Sequence, residues 1–129
     1  MVSVIVSSYQ PQIFLDFSAS LAATIGEVTF EIIKIENLAK MGLAKAYNKG
    51  AAKAKYPYLC FVHEDVLFET NGWGQKIIDH FTNDNRLGLI GIAGSRYKPY
   101  VYSGFGSAWG NAGLRMNIIQ TIDGQRQHI

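Results

Sequence analysis

The stretch that most restricts the fold of this chain is Tyr58-Leu59-Cys60-Phe61-Val62, followed at once by His63-Glu64-Asp65. Five consecutive aromatic, branched or apolar residues read as a strand buried on both faces, the kind found in the middle of a parallel sheet covered by helices. In open α/β sheets ligands bind just beyond the carboxyl ends of the strands. His63, Glu64 and Asp65 fall at such an end. The expectation is therefore a central strand that delivers titratable groups to a site at its tip.

The flanking segments agree with that frame. Val2 to Ser7 is rich in β-branched residues and reads as a first strand, ending in Ser7-Ser8-Tyr9-Gln10-Pro11. Pro11 favours a break or a first helical turn. Ile13, Phe14, Phe17, Leu21 and Thr24 are spaced as one helical face, and Gly26 is a natural stop. Val28 to Ile35 reads as a second strand that runs out into Glu36-Asn37. Leu43, Ala46, Tyr47, Gly50, Ala51 and Ala54 then make the apolar face of a second helix. Its residues are mostly small, which lets a helix lie close on a sheet, and Tyr56-Pro57 ends it. A third helix is expected from about Gly72 to Asn83, with Trp73, Ile77, Ile78 and Phe81 on one side. Leu87 to Gly94 is expected as a fourth, glycine-loosened strand, and Asn117 to Asp123 as a short last one. Between them lies an irregular loop region carrying Tyr97, Tyr100, Tyr102, Phe105 and Trp109. Strands alternating with helices predict an α/β fold with a mostly parallel sheet.

Bulk properties narrow the function. The chain has 129 residues and fits one domain with a real core. Its net charge of +2, with no run of Lys or Arg, gives no electrostatic footprint for nucleic acid. No stretch has the roughly 18 apolar residues of a membrane span. The N-terminus lacks the basic region and cleavage site of a signal peptide. The single Cys60, placed inside a strand, reads as a buried and inert thiol in a reducing compartment, and a cytoplasmic location is expected. His63, His80 and His128 lack zinc-ligand spacing, and Ser103-Gly104-Phe105-Gly106-Ser107 is not a nucleophile elbow. Neither a dinucleotide-binding nor a P-loop glycine pattern is present. The residues by themselves leave open a flavodoxin-like or other doubly wound interaction domain, and a solvated turn in which Asp65 merely caps a helix.

Taken together, Val4-Ile5-Val6-Ser7-Ser8-Tyr9, Glu31-Ile32-Ile33, Ala44-Lys45-Ala46-Tyr47-Asn48-Lys49-Gly50 and Tyr58 to Val66 resemble the nucleotide-sugar half of family 2 glycosyltransferases. They are most similar to the StrF-like branch known from streptomycin biosynthesis clusters. The resemblance implies a three-layer α/β/α fold of the GT-A, Rossmann-like type that binds a nucleoside diphosphate sugar. It implies that Ser7, Ser8 and Tyr9 face the nucleotide, that Glu36 and Asn37 lie near the uracil or ribose, and that Asn48 lies near the base or sugar. His63-Glu64-Asp65 stands in place of the family's Asp-x-Asp step. Asp65 would hold Mn²⁺ or Mg²⁺, with His63 as a second ligand better suited to manganese and Glu64 in support. A diphosphate leaving group needs its charge neutralised, and hard cations on carboxylate oxygens do this.

The resemblance also implies what is missing. Family members continue well past this length, and their second half supplies acceptor contacts and the general base. Thr121-Ile122-Asp123-Gly124 resembles the start of that half. The chain is therefore expected to be one domain, residues 1–129, truncated at its acceptor half, with the acceptor unknown. Asp79, Asp84 and Asp123 remain as candidate bases without a path to the site. The alternative kept beside transfer is a non-catalytic module that binds nucleotide sugar or serves interaction. An edge opened by a missing half would favour self-association.

Overall fold

The computed structural model describes residues 1–38, 40–95 and 114–128. Tyr97, Tyr100, Tyr102, Phe105 and Trp109, expected in a loop, lie outside them. The chain divides into two compact units, Met1–Arg86 and Leu87–Ile129.

The first unit is built on β1 (Val2–Ser8), α1 (Pro11–Thr24), β2 (Phe30–Glu36), α2 (Leu43–Ala51), β3 (Tyr58–His63) and α3 (Trp73–Asn83). The three strands form a parallel sheet in the order β2-β1-β3. β1 alternates its side chains between the faces, as a pleated strand must. Val2, Val4 and Val6 pack with Phe17 and Leu21 of α1, Trp73 of α3 and Val62 of β3. Ile5 packs on the other side with Ile33 and Ile35 of β2 and Ala46 of α2. Helices thus cover both faces, and the unit is a three-layer α/β/α sandwich.

One expectation is reversed. Among the described residues the middle strand is β1, not β3. Val2, Val4, Ile5 and Val6 of β1 are all buried. β3 buries one face, with Tyr58, Cys60 and Val62 against the first core. Leu59 and Phe61, on its other face, are 43% and 47% exposed. A continuous apolar run does not distinguish an inner strand from an edge strand, because both can present large side chains; only the pairing does. Cys60 is accordingly partly, not fully, buried.

The small face of α2 has a direct cause. A Cβ on Gly50 would overlap Ile5 Cγ2 and stand 3.3 Å from Ile5 Cβ. The helix therefore rests with its backbone on the middle strand.

At the amino ends of the strands a polar clip joins all three. The Ser3 hydroxyl donates to Glu31 Oε1 (2.6 Å), and the Lys55 backbone N–H donates to the same oxygen (2.7 Å). The Tyr56 N–H donates to Ser3 Oγ at 3.1 Å. The Ser3 hydrogen bond first, then the Lys55 N–H and the Lys55 charge, hold the Glu31 carboxyl below the ordinary 4.5 against the opposing effect of burial.

The second unit contains two antiparallel pairs, β4 (Ala93–Ser95) with β5 (Leu114–Met116), and β6 (Ile119–Ile122) with β7 (Gln125–His128). The expected fourth strand over Leu87–Gly94 is shortened to Ala93–Ser95 and runs antiparallel to β5. Gly88 and Gly91 offer no side chains to pack and weaken strand formation before it. Thr121-Ile122-Asp123-Gly124, expected as the start of a further half, is part of a hairpin. Asp123 and Gly124 take positive φ of 51° and 77°, and Ile122 pairs with Gln125. Asp-Gly between paired residues is the signature of a two-residue hairpin turn.

Two outcomes follow from this packing. Gly50→Ala is expected to destabilise the protein by about 1–2 kcal/mol, since overpacking at about 1–3 kcal/mol exceeds the helix gain of up to about 1 kcal/mol. Urea unfolding followed by circular dichroism would read this, and an unchanged or raised midpoint would contradict the close approach. Glu31→Gln is expected to lower stability at pH 7 by a margin that closes on acidification. A carboxyl held below its unfolded value stabilises above that value and loses the effect as pH falls through the folded one. Urea midpoints from pH 7 to pH 3 would contradict the clip if the gap between variant and wild type stayed constant.

Candidate functional site at the strand ends

The strand order decides where a crevice opens. The chain steps from β1 to β2 on one side and then crosses back over β1 to β3 on the other. The reversal lies between β1 and β3, and ligands of open α/β sheets bind at the carboxyl ends of such a pair. Register brings the expected residues there: Ser7 lies opposite His63 on one flank of β1, and Ser8 opposite Glu36 on the other.

The groups sort onto two sides. On the α2 side Asn37 donates from Nδ2 to Ser7 Oγ (3.3 Å) and to the Met41 carbonyl (3.0 Å), while its Oδ1 accepts from the Met41 N–H (3.1 Å). The Asn37 backbone N–H donates to the Ser8 carbonyl at 2.8 Å. Asn37 therefore closes the turn after β2 onto the end of β1. Tyr47 of α2 packs its ring against Phe61 at 5.3 Å and edge-on to His63 at 6.4 Å. Burial first, then the Cys60 thiol and the Asp65 carboxylate, push the Tyr47 hydroxyl up. Tyr47 was legible only as a core-facing position on α2; its reach to the tip depends on α2 beginning at the strands' carboxyl ends.

On the α1 side Glu64 is 3% exposed. Its Oε1 accepts the N–H groups of Tyr9 (3.0 Å) and Gln10 (3.2 Å). Gln10 is the N-cap of α1, and its own side chain makes no capping hydrogen bond. The glutamate of β3's tip thus caps α1 across 54 residues, with the charge sign that a helix N-terminus favours. Burial pushes its carboxyl up, but the adjacent Ser8 hydroxyl, the two N–H groups and the charge of Lys34 outweigh this and hold it below 4.5. Lys34 lies over the Phe14 ring at 4.5 Å. Ser8 Oγ and Glu64 Oε2 are buried without a hydrogen bond of ordinary geometry.

His63 and Asp65, on either side of Glu64, are exposed, as are Tyr9, Glu36 and Asn48; Ser7 and Asn37 are half-buried and Ser8 is buried. Glu36 carries a long 4.0 Å pair with Lys34, and exposed pairs of that kind are weak. Asn48 lies in the second half of α2, where its carbonyl accepts the Ala52 N–H at 3.1 Å. The segment beyond the tip is anchored on α1. Phe68 exchanges hydrogen bonds with Ser20 (2.7 and 3.2 Å) and stacks on Trp73 at 4.5 Å.

The model of a family described as a glycosyltransferase-like family matches residues 3–125. The chain belongs to this glycosyltransferase-like family. No curated protein and no solved structure matches the chain. In this glycosyltransferase-like chain the family match spans both compact units. No helix among the described residues is long and apolar enough to cross a membrane.

The fit of a divalent cation can be judged from the donors present. Among the described residues no group of three or more His, Cys, Asp or Glu side chains could hold a metal by itself. Magnesium-type sites are commonly made of one or two carboxylates, waters and the substrate's own phosphates. An exposed Asp65 with His63 two residues before it suits that open kind of site and not a closed protein cage.

The glycosyltransferase-like domain's one thiol gives a simple check. Burial pushes Cys60 up to about 11 from 9.0, which leaves about 100-fold less thiolate at pH 8 than in the unfolded chain. Alkylation by iodoacetamide is expected to be slower in native buffer than in urea by about that factor. Equal rates would contradict the packed position.

Proposed function

We propose that this domain binds a nucleoside diphosphate sugar over the β1/β3 carboxyl ends, with Mn²⁺ or Mg²⁺, and transfers the sugar to an acceptor hydroxyl. The observation that carries the reading is the exposed His63 and Asp65 at the topological switch point of a chain whose family match covers residues 3–125. The Ala46-Tyr47-Asn48-Lys49-Gly50 helix and the His63-x-Asp65 step support the StrF-like branch.

In this reading Tyr9, Glu36 and Ser7 present a ring, a carboxylate and a hydroxyl to the nucleoside, and Asn37, its amide bonded to Ser7 and Met41, holds the turn beside them. Asn48 lies on the base or sugar side. Asp65, with His63, would hold the cation. A cation held there would offset the diphosphate charge, so that the anomeric C–O bond breaks with its electron pair leaving on the diphosphate while the acceptor oxygen bonds to that carbon and releases its proton to solvent. At the α1 N-terminus, the usual phosphate cradle of dinucleotide folds, the Glu64 carboxylate already occupies the Tyr9 and Gln10 N–H groups. Its negative charge disfavours a phosphate there, which favours a cation at Asp65.

Calorimetric titration with UDP, GDP and dTDP, with and without Mn²⁺, tests the binding, and diphosphate release from the matching sugar nucleotides tests the transfer. Binding of one diphosphate is expected to need Mn²⁺. Asp65→Asn is expected to weaken it about tenfold or more, the equivalent of losing a charge-assisted contact of about 1.5–3 kcal/mol. Absence of binding by every diphosphate, with and without metal, would overturn the proposal.

A further inference from the structure

We infer that Glu64 is a positioning residue of the donor site: its carboxylate ties the tip of β3 to the β1–α1 turn across the switch point, so that turn and tip meet the nucleotide as one rigid piece. The inference rests on the donor-site reading above and deepens it. Glu64 sits between two exposed residues, yet it is 3% exposed and points away from where His63 and Asp65 face. One oxygen holds two backbone N–H groups that are 54 and 55 residues away in sequence. A local Asn, Asp or Ser at position 10 would cap α1 as well. A cap drawn from β3 does something that a local cap does not: it makes the place of Tyr9 depend on the place of Asp65.

Among the described residues no other side chain bonds the Tyr9 and Gln10 N–H groups. β1 and β3 are hydrogen-bonded up to Ser7 and His63. Beyond that pair the strands have no ladder between them, and Glu64 bridges the gap with Oε1 alone. Its Oε2 and the Ser8 hydroxyl are buried together without hydrogen bonds of ordinary geometry. Two such groups are kept where an apolar pair would cost less, which is understandable if the carboxylate's position at the cleft is what matters. Misplacing a substrate-positioning group by about 1 Å can lower activity about 100-fold.

The test uses the full chain as wild type, Glu64→Gln, Glu64→Asp, Glu64→Ala and Asp65→Asn. UDP affinity is measured by calorimetry with and without Mn²⁺, and hydrogen exchange of the Tyr9 and Gln10 amides by NMR. Glu64→Gln keeps an Oε1 acceptor and is expected to hold UDP affinity within about threefold. Glu64→Ala is expected to lose about tenfold or more, to speed exchange at both amides, and to keep the Mn²⁺-dependent increment that Asp65→Asn loses. Glu64→Asp, one methylene shorter, is expected to fall between and decides the matter should the alanine variant not fold. The inference is overturned if Glu64→Gln loses the Mn²⁺ increment as Asp65→Asn does, which would make Glu64 a ligand. It is equally overturned if Glu64→Ala, or Glu64→Asp in its place, changes neither affinity nor amide exchange. Failure of the wild type to bind UDP, GDP or dTDP, with and without Mn²⁺, would sink the donor-site reading, while amide exchange alone would still decide whether the tie exists.

Discussion

The first unit depends on β1 being hydrogen-bonded along both edges and buried on both faces. Its six pairings with β3 and seven with β2 set all three strands in one register. Val2, Val4 and Val6 seat α1 and α3, and Ile5 seats α2. A one-residue slip would exchange these two sets and put Ser3 and Ser7 where valines now pack. The same register places Ser7 beside His63 and Ser8 beside Glu36. Core packing therefore sets which strand-end residues meet, and the Asn37 and Glu64 hydrogen bonds then hold the turns beyond them.

Electrostatics then assign different tasks to neighbouring carboxylates. Glu64 is turned inward onto the α1 N-terminus, while Asp65 is left in solvent. Strand alternation separates them: successive side chains must leave a strand on opposite sides, and the habit persists into the turn. Filling the α1 N-terminus with a resident anion removes a phosphate cradle that many layered α/β proteins use. A diphosphate bound on this scaffold, as proposed, would have to meet positive charge elsewhere. Lys34, held over Phe14 on the same side, already spends part of its field on Glu64.

Much of this was legible in the residues because local signals agreed with the global fold. β1, α1, β2, α2 and α3 were all marked by periodicity, by Pro11 and Gly26, and by the small face of α2. Gly50 in mid-helix was readable as a sign of close approach, and Ile5 is the reason. The place of β3 was not legible, since the apolar run Tyr58 to Val62 carries no mark that says edge or centre. Glu64 could not be told from Asp65 by type or spacing, because what separates them is a pair of backbone N–H groups more than fifty residues away. The β6–β7 hairpin carries its own mark in Asp123-Gly124, whose positive φ values make the two-residue turn. Leu87 to Ile92 shows the opposite case: the apolar run reads as a strand, but its two glycines weaken it and the strand begins only at Ala93.

In the proposed function a cation and a diphosphate meet at the carboxyl ends of β1 and β3, with Asp65 as the carboxylate that grips the metal. The most direct measurement is anomalous diffraction at the manganese edge from crystals grown with UDP and Mn²⁺. The account predicts one strong peak in coordination distance of an Asp65 oxygen, bridged to the diphosphate, with Glu64 still bonded to the Tyr9 and Gln10 amides. A manganese peak and nucleotide density lying elsewhere, with nothing above the β1/β3 gap, would contradict it.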